Sequence, residues 1–226
     1  APLRPGSLIR ERCRDEMFAK DAEESVRDLV YGEFGFMSMV AFFKNHRDKI
    51  PKTGGVCYDL GSGVGRPAFA AATLHPFERV VGLECLAGLH ALGAELCALY
   101  NAEVAPAMAA AMNSHAAAMN NNNGAEAAGG AIIPRPPPSV ELLHGDFLVN
   151  DSWRDADVVL VNSCCFSADL FARIEQRAVQ LLRPGALVVT LRQTFLNHVV
   201  PSKETEKVAA KAAAEAEAAA ADAAEA

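Results

Sequence analysis

Three carboxylates and one amide stand at the ends of successive short apolar runs: Asp59, Glu84, Asp146 and Asn162. Asp59 leads into a glycine-rich turn, with Gly61, Gly63 and Gly65 in alternate positions. A strand that runs into such a turn and then into a helix brings bare backbone against a ligand lying across the strand's carboxyl end. Glu84 follows 25 residues after Asp59, where doubly wound folds place an acid that accepts hydrogen bonds from ribose hydroxyls. Asp146 with Phe147 offers an acceptor for an exocyclic amine beside an apolar face, which suits adenine. Asn162 closes the fourth run with an uncharged amide directed at the same crevice. Each feature alone has a plainer reading, as a tight turn or a solvated loop carboxylate; four in register weigh against coincidence.

The glycine spacing is GxGxG rather than the GxGxxG of dinucleotide folds, and Arg66 and Pro67 open the helix that follows. A dinucleotide oxidoreductase is therefore the weaker reading. No GxxxxGK[ST], GxSxG or HExxH is present for nucleoside triphosphates, acyl transfer or zinc. His75, His90, His144 and His198 are scattered and read as surface or core histidines. The six cysteines form no CxxC pair and read as buried free thiols; Cys164 and Cys165, beside Asn162, lack an identifiable base to activate them. A cofactor with adenine and ribose but no phosphates fits this set, which is the description of S-adenosylmethionine.

These residues must be positioned by a scaffold whose elements alternate. VCYDL, RVVGLE, VELLHGDF, ADVVLVN and ALVVTLRQ read as strands, while PAFAAATL, CLAGLHALGAELCALY and SADLFARIEQRAVQLL read as helices. Alternation at these lengths argues for an α/β fold, a doubly wound and mostly parallel sheet covered on both faces. Ahead of it, residues 8–28 suit a partly exposed helix, and VYGEFGFMSMVAFFKNH reads as two glycines followed by a buried helix. Residues 101–138 are dominated by Ala, Asn, Gly and Pro and read as a flexible insertion with transient helix in the Ala/Met part. From Ser202 the tail has high helix propensity and little to pack, as an exposed helix or a frayed end.

The 226 residues, 51% of them hydrophobic, suit one globular domain. A net charge of -7 advertises no general attraction to nucleic acid or anionic membrane. No apolar run approaches the roughly 20 residues that span a bilayer, and no signal peptide opens the chain, so a soluble intracellular protein is expected. The opening APLRPG lacks methionine, as in a fragment.

The segments VYGEF (30–34), DLGSGVG (59–65), GLE (82–84), GDFL (145–148), VNSCCF (161–166) and LRPGALVV (182–189) resemble, in order, the motifs of the disruptor-of-telomeric-silencing histone H3 lysine methyltransferases. The similarity runs from about residue 29 to 195, and the YGE ahead of DLGSGVG is its discriminating pair. The resemblance implies a class I, Rossmann-like methyltransferase fold, with Ala-rich sequence standing where the final two strands are expected. The N-terminal segment 1–50 would carry the YGE loop, residues 51–200 the methyltransferase domain with its 101–138 insertion, and residues 201–226 the tail. Tyr31 and Glu33 would cover the methionine end of the cofactor, Asp59, Gly61 and Gly63 line its amino-acid moiety, Glu84 bind ribose, and Asp146 and Phe147 bind adenine. Asn162 and Tyr31 would stand at the methyl-transfer channel, with Phe34, Cys164 and Phe166 as further walls. Ser163, Cys164 and Cys165 occupy positions where the family has a second Asn and a Phe/Ala pair.

The expected activity is S-adenosylmethionine-dependent methylation of a lysine on the histone H3 core, in the nucleus, by a monomer that needs no metal. The alternatives are methylation of another protein or a small molecule, or cofactor binding without catalysis; the cytoplasm is the alternative site. A basic protein partner is expected, with weak DNA contact.

Overall fold

A computed structural model of the chain describes residues 35–122, 135–163 and 166–191. The expected helix over 8–28, the Ala-rich tail and any strand after residue 191 lie outside them. Helix α1 (Phe36–Asn45) leads to β1 (Val56–Leu60), α2 (Arg66–Leu74), β2 (Arg79–Glu84) and α3 (Ala87–Leu99). A π-helical turn, Tyr100–Val104, joins α3 to α4 (Ala105–Asn122). Then come β3 (Ser139–His144), a 3-10 turn (Ser152–Asp155), β4 (Val158–Val161), α5 (Ala168–Leu181) and β5 (Leu187–Thr190).

The five strands form one sheet in the order β3-β2-β1-β4-β5, and every pair is parallel, with Asp59 opposite Gly82 and Leu160. Strand periodicity sorts side chains onto two faces. Cys57, Val80, Val158 and Leu160 pack with Met39 and Phe43 of α1, Ala68, Ala71 and Ala72 of α2, and Cys97 of α3. Tyr58, Leu60, Val81, Leu83, Val159 and Val161 pack on the other face with Trp153 and with Ile174 and Ala178 of α5. Both faces are covered, as a parallel sheet requires. Ser167 caps α5, its side chain accepting from the Leu170 N–H.

The π-helical turn and α4 correct the first part of the reading of residues 101–138, where only transient helix was expected. Residues 101–122 continue α3 as helix, because alanine is the strongest helix former and the run contains one proline. That proline, Pro106, has no N–H and crowds the carbonyl of the preceding turn. The widened turn lies directly ahead of it, with the Ala105 N–H donating five residues back to the Tyr100 carbonyl. Asn101 ties this turn to the sheet: its Nδ2 donates to the Val140 carbonyl at 2.8 Å and its Oδ1 accepts from the Val140 N–H at 3.1 Å. It thereby occupies backbone groups on the edge strand that another strand would otherwise seek. Residues 123–134 lie outside the described residues. Among the described residues no helix is long and apolar enough to cross a membrane.

Candidate functional site

In an open parallel sheet the carboxyl ends of the strands face a common crevice where the strand order reverses, here between β1 and β4. Asp59 near the end of β1 and Asn162 directly after β4 flank that reversal. The loop from β1 to α2 turns sharply, with Gly61 at φ 72°, Gly63 at 57° and Gly65 at 90°, a region that L side chains rarely enter. Its first turn is held to the neighbouring strand, since the Gly61 and Ser62 N–H groups both donate to the Leu83 carbonyl.

Gly65 brings α2 down onto β3. A Cβ there would lie 2.9 Å from a Leu142 methyl, and one at Gly82 or Gly93 would lie 2.4 or 2.8 Å from the same side chain. Leu142 therefore fills a hole made by three glycines from three elements. Gly82 and Gly93 escape notice in the sequence, where each is a lone glycine inside an element; their spacing to Leu142 exists only in the assembled sheet.

Glu84 is buried at the end of β2 and receives the Gly63 N–H on Oε2 and the Leu86 N–H on Oε1, both at 2.8 Å. The Cys85 N–H and thiol also lower its pKa, yet desolvation dominates and pushes it above the ordinary glutamate value. The acid after the second strand thus clamps the glycine loop as well as facing the crevice. Asp59 shares this burial without the donors. It is fully buried, neither carboxyl oxygen has a hydrogen-bond partner, and desolvation with the nearby charge of Glu84 raises its pKa to about 8. The Ala68 N–H acts in the opposite direction, more strongly than Glu84 but far less than burial, without reaching hydrogen-bonding geometry. Ser62 Oγ and Asn162 Oδ1 are likewise buried and unpartnered.

The remaining candidates separate. Asp146 is exposed, and its Oδ1 accepts from the Leu148 N–H at 2.8 Å, which leaves acceptor capacity toward solvent. Phe147 is 7% exposed and belongs to the core under the sheet, where Trp153 Nε1 donates to its carbonyl at 3.0 Å. Its ring edge and that of Phe166 approach Gly61, the two rings lying 6.3 Å apart. Phe147 thus packs in the core and reaches the glycine loop. Tyr31, Glu33, Phe34, Cys164 and Cys165 lie outside the described residues. A cleft of about 350 Å³ between α1 and α2 is lined by Phe36, Met39, Arg66, Phe69 and Thr73 among others, and by none of Asp59, Glu84 or Asn162. It is separate from the strand-end crevice. Among the described residues no group of three His, Cys, Asp or Glu side chains is arranged to hold a metal ion.

No protein-family model and no curated protein sequence matches the chain. Solved structures similar to it include an RNA methyltransferase from Salinibacter ruber in complex with S-adenosyl-L-homocysteine, 21% identical over 70% of this chain and 76% of that one, with a TM-score of 0.44. The rRNA methyltransferase aviRa from Streptomyces viridochromogenes is 16% identical over 78% of this chain and 85% of that one, with a TM-score of 0.49. A SAM-dependent methyltransferase from Thiobacillus denitrificans, also in complex with S-adenosyl-L-homocysteine, is 15% identical over 84% of this chain, with a TM-score of 0.42. The chain covers 56% of that last protein's length. The α/β, Rossmann-like fold of the chain rests on its own strand order and all-parallel pairing.

Proposed function

We propose that the chain is an S-adenosylmethionine-dependent methyltransferase whose substrate is a lysine of a basic protein, of the histone H3 core type that the sequence motifs resemble. The observation that carries the cofactor reading is the pair of buried acids at the glycine loop, Glu84 clamping Gly63 and Asp59 beneath it without a partner. A pyrophosphate needs donors and positive potential at this place. Two carboxyl groups oppose it and favour a ligand that is cationic near the loop and carries hydroxyls near Glu84. The orphaned Asp59, Ser62 and Asn162 oxygens fit such a ligand, being acceptors already desolvated and lacking donors.

Glu84 would hold the ribose hydroxyls, with acceptor positions shared between the loop and the ligand. Asp59 would face the positive charge, and Asp146 the adenine amine. When bound, the cofactor supplies a methyl group activated by a sulfonium. The protein's part is to align the acceptor nitrogen behind that carbon and exclude water. An amine arriving beside a cation in an apolar channel loses its proton more readily, through desolvation and like-charge repulsion, so no dedicated base is needed. Asn162 would orient the neutral amine, and Phe166, packed against the loop, would wall its path. The net charge of -7 suits attraction to a basic protein.

Titration calorimetry with S-adenosylmethionine and with NAD tests the cofactor class: binding of the first alone is expected, and binding of NAD alone would remove the reading. Mass spectrometry of free histone H3 and of intact nucleosomes incubated with the cofactor tests the substrate. A mass increase of 14 Da per methyl on a lysine, faster on free histone, is the expected result. No mass increase on either, with methyl transfer to added RNA or a small molecule in a parallel incubation, would replace the protein substrate while keeping the cofactor.

A further inference from the structure

Two buried carboxyl groups stand near the carboxyl ends of adjacent strands, β1 and β2, and only one of them is solvated by the protein. Glu84 accepts from the Gly63 and Leu86 N–H groups. Asp59 is fully buried with no hydrogen bond to either oxygen. An ionised carboxylate in that position loses its hydration and gains no donor in exchange, which costs more than taking up a proton. The surroundings offer little relief beyond the Ala68 N–H, which lowers the pKa without forming a hydrogen bond. On its own strand the titratable groups are Tyr58, whose side chain packs on the opposite face, and the buried Cys57 thiol, itself pushed up by burial and by Asp59. Across β2 stands Glu84, of like charge. The β4 residues beside it, Val158–Val161, are apolar, and the one charged residue of α2 is Arg66, exposed at its first position. The resulting pKa, about 8, leaves Asp59 mostly a neutral acid at pH 7.

We infer that Asp59 is a proton-releasing anchor: it is neutral in the free protein and ionises when a cationic ligand enters the crevice, so that binding of S-adenosylmethionine liberates one proton. The O–H bond of the Asp59 carboxyl breaks, its electron pair stays on the carboxylate, and the proton passes to the buffer. The carboxylate is then balanced by the positive charge of the ligand. No electron transfer or second reactant is involved. This rests on the cofactor reading above and adds a pH dependence to it. Below pH 8 each unit of rising pH strengthens binding by up to tenfold, and above it the affinity levels off.

The test is calorimetry of the full chain with S-adenosylmethionine at pH 7, in phosphate and in Tris, whose ionisation enthalpies differ widely. The expected result is a binding heat that differs between the buffers by the amount for close to one proton released, and an Asp59→Asn protein in which that release is lost. The ligand's own ammonium is present in both titrations, so the difference between the two proteins isolates the Asp59 proton. Should Asp59→Asn fail to fold, carbon-13 resonances of aspartate side-chain carboxyls in the wild type answer the question directly. One carboxyl should titrate near pH 8 in the free protein and move to the acidic range when ligand is added. A buffer-independent heat in the wild type, the same proton count in Asp59→Asn, or no carboxyl titrating above pH 6 overturns this inference and leaves the cofactor reading standing. Absence of any binding heat in both buffers overturns both.

Discussion

The two ends of the sheet use the same kinds of side chain to opposite effect. At the amino end, Arg79 donates to Asp155 at 2.6 Å and Arg183 to Asp157 at 2.9 Å. Asp157 Oδ2 also accepts from the Val56 N–H at 2.8 Å, and the Tyr58 hydroxyl donates to the Ser152 carbonyl at 2.6 Å. The carboxylates there are part-exposed and charge-paired, and even Asp155, one of whose oxygens lacks a partner, has Arg79 on the other. At the carboxyl end, Asp59 lacks a partner on both carboxyl oxygens and Ser62 Oγ and Asn162 Oδ1 have none, whereas the amino end leaves the Ser152 hydroxyl and one Asp155 oxygen unpartnered but no whole carboxylate. Buried polar groups are rarely left in that state. The difference teaches that the amino end holds the strands together, while the carboxyl end keeps polar atoms in reserve at a cost in stability, as ligand sites do.

Substitutions at the two ends should therefore separate in what they change. At neutral pH a large loss of stability is expected from Trp153→Ala, which empties a fully buried site in the 3-10 turn before β4 and leaves the Phe147 carbonyl without its indole donor. Unfolding by denaturant should show a loss of about 3–5 kcal/mol. A loss below 1 kcal/mol would mean that this turn is not part of the cooperative core.

At the other end, Glu84→Ala should weaken S-adenosylmethionine binding by about 1.5–3 kcal/mol, roughly tenfold or more, through loss of a charged acceptor. The measurement is calorimetric affinity on folded protein, and unchanged affinity would take Glu84 out of the site.

Asp59→Asn sharpens the contrast because it should stabilise the free protein. The folded pKa of Asp59, about 8, lies above its unfolded value, so the folded state keeps a proton that the unfolded chain gives up. That contribution is fully present below the ordinary aspartate pKa and is lost as pH rises toward 8, at up to about 1.4 kcal/mol per pH unit. Wild-type stability should decline across that window relative to Asp59→Asn, and the two should converge toward pH 4. Parallel curves from pH 4 to 9 would show that Asp59 is ionised in the folded protein. The smallest effect belongs to Arg183→Ala, whose ion pair is solvent-screened: about 0–1 kcal/mol and no change in cofactor affinity, the latter being the sharper measurement.

Much of this arrangement was legible along the chain. Strands β1 and β2 coincide with VCYDL and RVVGLE, short apolar runs bounded by turn residues, and the alternation with helices implied the parallel, doubly wound sheet. The Ala/Asn/Gly-rich stretch misled, because composition alone does not distinguish filler from a helix. Residues 101–122 belong to one that Asn101 fastens to the edge of β3, a contact 39 residues away in sequence. The glycine hole around Leu142 was hidden for the same reason.

At the site, the sequence by itself determined which residue types reach the strand ends: an acid before the glycine turn, an acid after the second strand, an amide after the fourth. Those positions follow from backbone preference and periodicity, which act over a few residues. Only the tertiary structure decided that Glu84 is clamped by two N–H groups while Asp59 has none. Ionisation depends on which donors, charges and apolar walls lie within a few ångströms, and around Asp59 these come from β2, β4 and α2, elements brought beside it by the parallel pairing of the sheet.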